Sequence, residues 1–293
     1  MRKLLLNLIR LYFRHFPIRK GKIPLMILID KTGLTKNYKI QTYFDNKIRI
    51  NLNLEDWIQK QVFYFGRYEI EKKETLFWQY LIKENNYVFD IGANIGYYTL
   101  QAAARIGASG RVYAFEPVTV TYNKLNTNIQ LNSFTNIIAE NLAVSNKKGF
   151  IELFVASEAS TGSSSVSFHK DFSGVKEKVQ TIRIDDYIKE NNIYKVDIIK
   201  IDVEGCEPMV IEGALITMKN LKPLILIEVL DERLNTINSS KEDLYKLFQE
   251  NKYSPYEIIN YNVIKKINTP KEGGLIIFKH NDLQLFENIK VIK

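Results

Sequence analysis

The sequence predicts an α/β protein built on a mostly parallel sheet with helices on both faces. Apolar runs suited to buried strands alternate with helical periods from Val88 to Ala139, and strands return from Val196 to Phe278. The stretch Val88-Phe89-Asp90-Ile91-Gly92-Ala93-Asn94-Ile95-Gly96 reads as a buried strand entering a tight turn and then a helix. Acidic residues close four of the runs: Asp90, Glu116, Asp202 and Glu228 each fall at a strand end.

The 293 residues leave room for one large α/β domain plus an extension. The single cysteine, Cys206, excludes an internal disulfide and a cysteine-rich metal site, and it fits a reducing, cytoplasmic compartment. The formal charge is +8, and residues 1–36 carry all of it, with nine Lys or Arg against Asp30 alone. The remaining chain has 32 basic and 32 acidic residues. A neutral body argues against a nucleic-acid substrate, which calls for positive charge around the site.

Residues 2–16 have helical periodicity, with Lys3, Asn7, Arg10 and Arg14 forming a narrow polar stripe among leucines and aromatics. The stretch is too short and too charged to span a bilayer, and no small-residue cleavage site follows. Two outcomes are open for its apolar surface. It lies on an anionic membrane at the inner face, or it packs on the body or on a twin subunit as a homodimer. Pro17 and Pro24 are expected to end this helix, and Leu25–Ile29 to form a short strand. Residues 38–52 alternate about Asp45-Asn46 as a β-hairpin. Glu55–Phe65 and Glu69–Lys83 read as helices, with Trp57 and the stretch 65–69 as core or as pocket wall.

Val88–Ile91, Gly96–Arg105, Arg111–Phe115, Thr119–Leu131 and Asn136–Ala139 then alternate strand and helix. Phe150–Val155, Ser165–Phe168 and Val179–Ile182 form a β-rich insert, with Ser157–Ser165 as a substrate lid or a solvated loop. Asp185–Asn191 is a short helix, Val196–Ile201 a buried strand, Glu207–Met218 a helix, Leu224–Ile227 a strand and Lys241–Asn251 a helix. Tyr256–Ile259 and Gly274–Phe278 are expected to close the sheet as an antiparallel pair. The division expected is a basic extension over 1–36, a hairpin and helices over 37–87, and a cofactor-binding domain over 88–293.

A glycine turn, a helix, a strand and then a carboxylate is the arrangement that holds a nucleoside, the carboxylate pairing with ribose hydroxyls. Asp90 in the turn would repel a pyrophosphate, so a cationic ligand fits better than a dinucleotide. The Asp-x-Gly-x-Asn-x-Gly run resembles motif I of the S-adenosylmethionine-dependent methyltransferases. Over about residues 55–280 the chain resembles the FkbM-type family. The residues that carry this are 89–99, Phe115-Glu116-Pro117, Arg183-Ile184-Asp185 and, most specifically, Ile199-Lys200-Ile201-Asp202-Val203-Glu204-Gly205-Cys206-Glu207. Cys206 stands where a small residue such as Ala is expected.

The resemblance implies a Rossmann-like class I methyltransferase fold, with a seven-stranded, mostly parallel sheet, a β-rich insert and an N-terminal helical extension. It implies S-adenosylmethionine as cofactor and O-methylation of a hydroxyl on a sugar, glycan or secondary metabolite. Carried over by position, Asp90, Gly92, Asn94 and Gly96 shape or meet the methionine end, Glu116 holds the ribose, and Asn141 lies near the adenine. An alcohol benefits from a base as it attacks. Asp202 is the first candidate, followed by Glu204 and Glu228. Lys200 is expected to pair with one of these acids or to contact a substrate hydroxyl. His169 has a better-matched pKa but no fixed place. No metal is required. Two other classes compete: a dinucleotide-dependent oxidoreductase, against which Asp90 counts, and a non-catalytic scaffold that keeps the cofactor fold.

Overall fold

The computed structural model describes residues 1–16, 21–45, 47–155, 175–271, 273–284 and 288–292. Two helices, α1 (Arg2–His15) and α2 (Lys22–Lys31), precede a hairpin of β1 (Lys39–Phe44) and β2 (Ile48–Asn53). Helices α3 (Trp57–Phe65) and α4 (Lys72–Leu81) lead into the sheet. There follow β3 (Tyr87–Ile91), α5 (Tyr97–Ile106), β4 (Arg111–Phe115), α6 (Thr119–Gln130) and β5 (Ile137–Glu140). The insert contains β6 (Ala143–Val144), β7 (Gly149–Val155) and β8 (Val175–Ile182), which form a separate small sheet. The chain continues through α7 (Ile184–Glu190), β9 (Ile198–Ile201), α8 (Glu207–Glu212), α9 (Leu215–Asn220), β10 (Leu224–Glu228), α10 (Asp231–Leu234) and α11 (Lys241–Glu250). It ends with β11 (Tyr253–Asn260), β12 (Val263–Lys266), β13 (Leu275–His280) and β14 (Lys290–Ile292).

The main sheet runs β14-β12-β11-β13-β10-β9-β3-β4-β5. The five strands from β10 to β5 are parallel, and β13 is antiparallel to both β10 and β11. With β12 and β14 left out and the rest counted in chain order, β11 to β5 read 6-7-5-4-1-2-3, the expected seven-stranded layer. The short strands β12 and β14 extend it to nine among the described residues.

Strand periodicity sorts the core onto two faces. Val88, Ile198, Leu224 and Leu226 pack with α4, α5 and the N-terminal elements. Their neighbours Phe89, Ile91, Ile199, Ile201, Ile225 and Ile227 pack with α7 to α11. Continuous apolar runs are what a sheet covered on both faces needs.

Three local expectations are corrected. Leu25–Ile29 is part of a helix, not a strand, and Pro24 does not end α1 but sits in the first turn of α2. A helix has no internal partner for N–H groups in its first turn, so proline is tolerated there. The helix expected over Glu207–Met218 is two short ones. At the break, a Cβ on Gly213 would lie 2.1 Å from the Ser145 carbonyl oxygen. The Asp185 carboxylate, from α7, accepts the N–H groups of Ile216 (3.1 Å) and Thr217 (2.9 Å) and so caps the second piece. Arg183-Ile184-Asp185 is thus a fastening between helices. Pro17, the Ser157–Ser165 segment, the strand expected over Ser165–Phe168 and His169 lie outside the described residues.

Candidate functional site

A cavity of about 430 Å³ opens at the carboxyl ends of β3, β4, β9 and β10, where ligands sit in open α/β sheets. Its wall contains Asp90, Gly92, Asn94, Glu116, Lys200, Asp202, Glu204 and Glu228. Four carboxylates far apart in the chain thus meet on one rim, as the strand ends required. Of the other residues singled out in the sequence, Gly96 and Asn141 are not on the wall.

The turn after β3 is held by its backbone. The N–H groups of Gly92 and Ala93 both donate to the Phe115 carbonyl at 2.9 Å. Gly92 has φ +81°, and a Cβ there would fall 1.8 Å from the Asp202 carbonyl oxygen. The turn therefore presses on the end of β9, and only glycine fits. Asn94 takes the left-handed conformation (φ 50°) anticipated for it, and its N–H donates to Glu116 Oε2 at 2.9 Å. The Val118 N–H donates to Glu116 Oε1 at 3.0 Å. Each oxygen of Glu116 keeps capacity for a further donor. Burial is the main cause that pushes Glu116 up to about 7. Asn141 braces this corner: its Nδ2 donates to the carbonyls of Glu116 (2.9 Å) and Pro117 (2.8 Å). The side chains beside it, Leu142 and Ala143, are on the wall.

Beneath the turn, β3 and β9 pair in parallel with Asp90 opposite Lys200. Lys200 is 1% exposed, and its Nζ lies 3.1 Å from Asp202 Oδ2 and 3.9 Å from Asp90 Oδ1. It also stands 4.7 Å from the centre of the Tyr98 ring. Burial acts to lower the pKa of this ammonium, but Asp202 and Asp90 together outweigh it and hold the pKa above the ordinary lysine value. Asp90 is fully buried, which raises its pKa against the opposing pull of Lys200. Its Oδ2 accepts from Thr99 Oγ1 at 2.6 Å. Asp90 Oδ1 and Asn94 Oδ1 are buried acceptors without a hydrogen-bond donor among the described residues. A ligand carrying N–H or O–H groups would satisfy both.

The loop after β9 bends sharply. Glu204 has φ 55°, a strained conformation of the kind found at functional sites. Glu207 accepts the N–H groups of Val203 (3.3 Å) and Gly205 (3.1 Å), so it holds the loop. Cys206 borders the cavity as a buried thiol, pushed up to about 12 by burial and then by Glu207. The Glu204 carboxylate lies 3.3 Å from Arg233 Nε. Burial first, then Asp202, pushes Glu204 up to about 8. Burial and then Asp202 likewise hold Glu228 well above the ordinary range. Near neutral pH both carry protons and can donate hydrogen bonds, which suits them less to the role of base.

Two contributors were not legible in the sequence. Glu71, just before α4, accepts from Tyr98 Oη at 2.9 Å, and burial and then Asp202 push it up to about 7. Arg233 of α10 is the other. Tyr68 and Trp57, read as core or pocket wall, are on the wall. Glu71 sits before the glycine motif and has no motif of its own. Only the folding of α3 and α4 over the sheet edge brings it in.

Sheet order, glycine turn and paired carboxylates together define a class I methyltransferase. A Methyltransferase FkbM domain matches residues 90–255, and the chain belongs to that family. S-adenosylmethionine is the family's cofactor. Methyltransferase 1 of Beauveria bassiana is 20% identical over 225 residues, covering 71% of this chain and 84% of its own. The hexuronic acid methyltransferase AglP of Haloferax volcanii is 25% identical over 172 residues, and the match spans 59% of this chain and 65% of AglP. The crystal structure of a methyltransferase FkbM from Methylobacillus flagellatus superposes with a TM-score of 0.43 at 16% identity, covering 67% of this chain and 44% of that one. Family membership sets the dinucleotide-dependent alternative aside.

Proposed function

We propose that this protein O-methylates a hydroxyl of a sugar, glycan or secondary metabolite. The observation that carries the reading is the division of the cavity. At one end the Asp90–Asn94 turn leaves two acceptors without donors among the described residues, beside Glu116, whose oxygens each keep capacity for a further donor. Glu71, Asp202, Glu204 and Glu228 gather at the other. The first end suits the ammonium and ribose of S-adenosylmethionine, and the second a polyhydroxyl acceptor, whose O–H groups donate to Asp202 and accept from the protonated Glu204 and Glu228. The name of AglP, a hexuronic acid methyltransferase, supports a sugar.

The cofactor, when bound, supplies a methyl group on a sulfonium. Glu116 would hold the ribose hydroxyls, while Asp90 and the Asn94 turn would hold the amino-acid end. Lys200 fixes Asp202 at the end of β9, with the other Asp202 oxygen available to the acceptor hydroxyl. Asp202 accepts that proton as the hydroxyl attacks. Most of the rate then comes from alignment of acceptor and methyl group. A second reading gives the proton to Glu71, whose pKa of about 7 is matched to a base working at neutral pH.

Calorimetric titration with S-adenosylhomocysteine tests the site. Wild-type protein should bind, and Asp90→Ala and Glu116→Ala should each abolish binding while remaining folded. Labelled methyl donor then tests sugar and glycan acceptors. A folded wild-type protein that binds no S-adenosylhomocysteine, with or without acceptor, would favour the non-catalytic scaffold.

A further inference from the structure

Helix α1 is oriented against its own composition. Leu6 and Phe13 are buried against the body, and Phe13 stacks on Tyr64 of α3 with ring centres 4.8 Å apart. The arginines turn the same way. Arg2 donates to the Leu34 carbonyl at 2.8 Å and to that of Lys36. Arg10 donates to Thr42 Oγ1 at 2.5 Å, and Arg14 to the carbonyls of Tyr43 and Phe63 at 3.0 Å. These partners are neutral oxygens, so the positive charges stay in place. Burial lowers Arg14 only to about 10, and it stays cationic at neutral pH.

The side of α1 that faces solvent is apolar. Leu4 is 66% exposed and Leu8 56%, with Leu5, Leu11, Tyr12 and Phe16 also open. Ile27 and Leu28 are exposed on α2, which returns alongside α1 so that Arg2 meets the residues after it. Nine of the 21 large exposed hydrophobic side chains among the described residues lie within residues 1–28. A patch of this kind marks an interaction surface. No described helix is long and apolar enough to cross a membrane.

The charge decides what covers the patch. Residues 1–36 carry +8, and the rest of the chain is neutral. Two copies apposed through this face would bring the exposed Arg2, Lys3, Lys31 and Lys36 of one against those of the other. An anionic lipid surface instead supplies apolar depth for the leucines and negative headgroups for the exposed Lys3, Lys31 and Lys36. We propose that the α1–α2 face docks the protein onto an anionic phospholipid bilayer, with both helices lying in the interface.

The test is sedimentation of the full-length protein with vesicles. Recovery should be strong with equal parts phosphatidylcholine and phosphatidylglycerol, weak with phosphatidylcholine alone, and reduced by salt. Leu8→Glu with Leu11→Glu should lower vesicle affinity by about a hundredfold, since each leucine contributes about tenfold on burial. Lys3→Gln and Lys31→Gln should each lower it by about fivefold. All four substitutions are at exposed positions, so S-adenosylhomocysteine affinity and thermal stability serve as folding controls. Equal recovery by wild type and the double glutamate variant would overturn the proposal. Absence of vesicle binding, together with a dimer that the glutamates dissociate, would overturn it in favour of a second copy.

Discussion

Lys200→Met gives the most direct test of how the site is held together. Methionine keeps most of the apolar stem but removes the ammonium between Asp90 and Asp202. Asp202 is 35% exposed and can be hydrated, whereas Asp90 is 1% exposed and cannot. Breaking a buried pair by removing one partner costs about 3–5 kcal/mol. Asp90 can limit that cost by taking a proton. Its pKa is already raised by burial and held back by Lys200, so losing Lys200 raises it further. A carboxyl with a higher pKa in the folded state is stabilising below its unfolded pKa, and that contribution is lost as pH rises through the folded value. The variant should therefore lose stability relative to wild type as pH rises above the ordinary carboxylate range, by up to about 1.4 kcal/mol per pH unit. Urea unfolding at several pH values measures this. Adding Asp90→Asn should remove the slope without restoring S-adenosylhomocysteine binding. A deficit that does not change with pH, or one below about 1 kcal/mol at pH 8, would refute the idea that Lys200 neutralises Asp90.

Two further outcomes are expected. Gly92→Ala places a methyl group 1.8 Å from the Asp202 carbonyl oxygen at φ +81°. Backbone strain alone costs about 1–3 kcal/mol, so both melting temperature and S-adenosylhomocysteine affinity should fall; unchanged affinity would mean that the turn does not form the cofactor site. Glu71, at about 7, loses its proton as pH rises through neutrality. If Glu71 is the base, methyl transfer rises across that range and Glu71→Gln removes the rise while leaving S-adenosylhomocysteine affinity unchanged; a preserved profile in that variant leaves Asp202 as the base.

The parallel strands were legible because burial on both faces forces continuous apolar runs, and Asp90 and Lys200 interrupt those runs visibly. The convergence of Asp90, Glu116, Asp202 and Glu228 followed from a single rule about where ligands sit on such sheets. The errors have a common origin. Leu25–Ile29 is an apolar run of a length that fits strand or helix, and periodicity alone does not separate them. The break at Gly213 reflects the Ser145 carbonyl, which is remote in sequence.

The sequence alone determined the α/β class, the alternation of strand and helix in the central units and the chemistry of the glycine turn, because each rests on residues within one or two elements. Tertiary structure decided what depends on approach across the chain. It set Lys200 between two carboxylates, brought Glu71 and Arg233 to the cavity, and turned the arginines of α1 inward and four of its five leucines outward. Helical periodicity shows that a helix has two faces. Which face meets the body depends on the partners there: carbonyl oxygens near the ends of β1 and α3 hold Arg14, and the Thr42 hydroxyl holds Arg10.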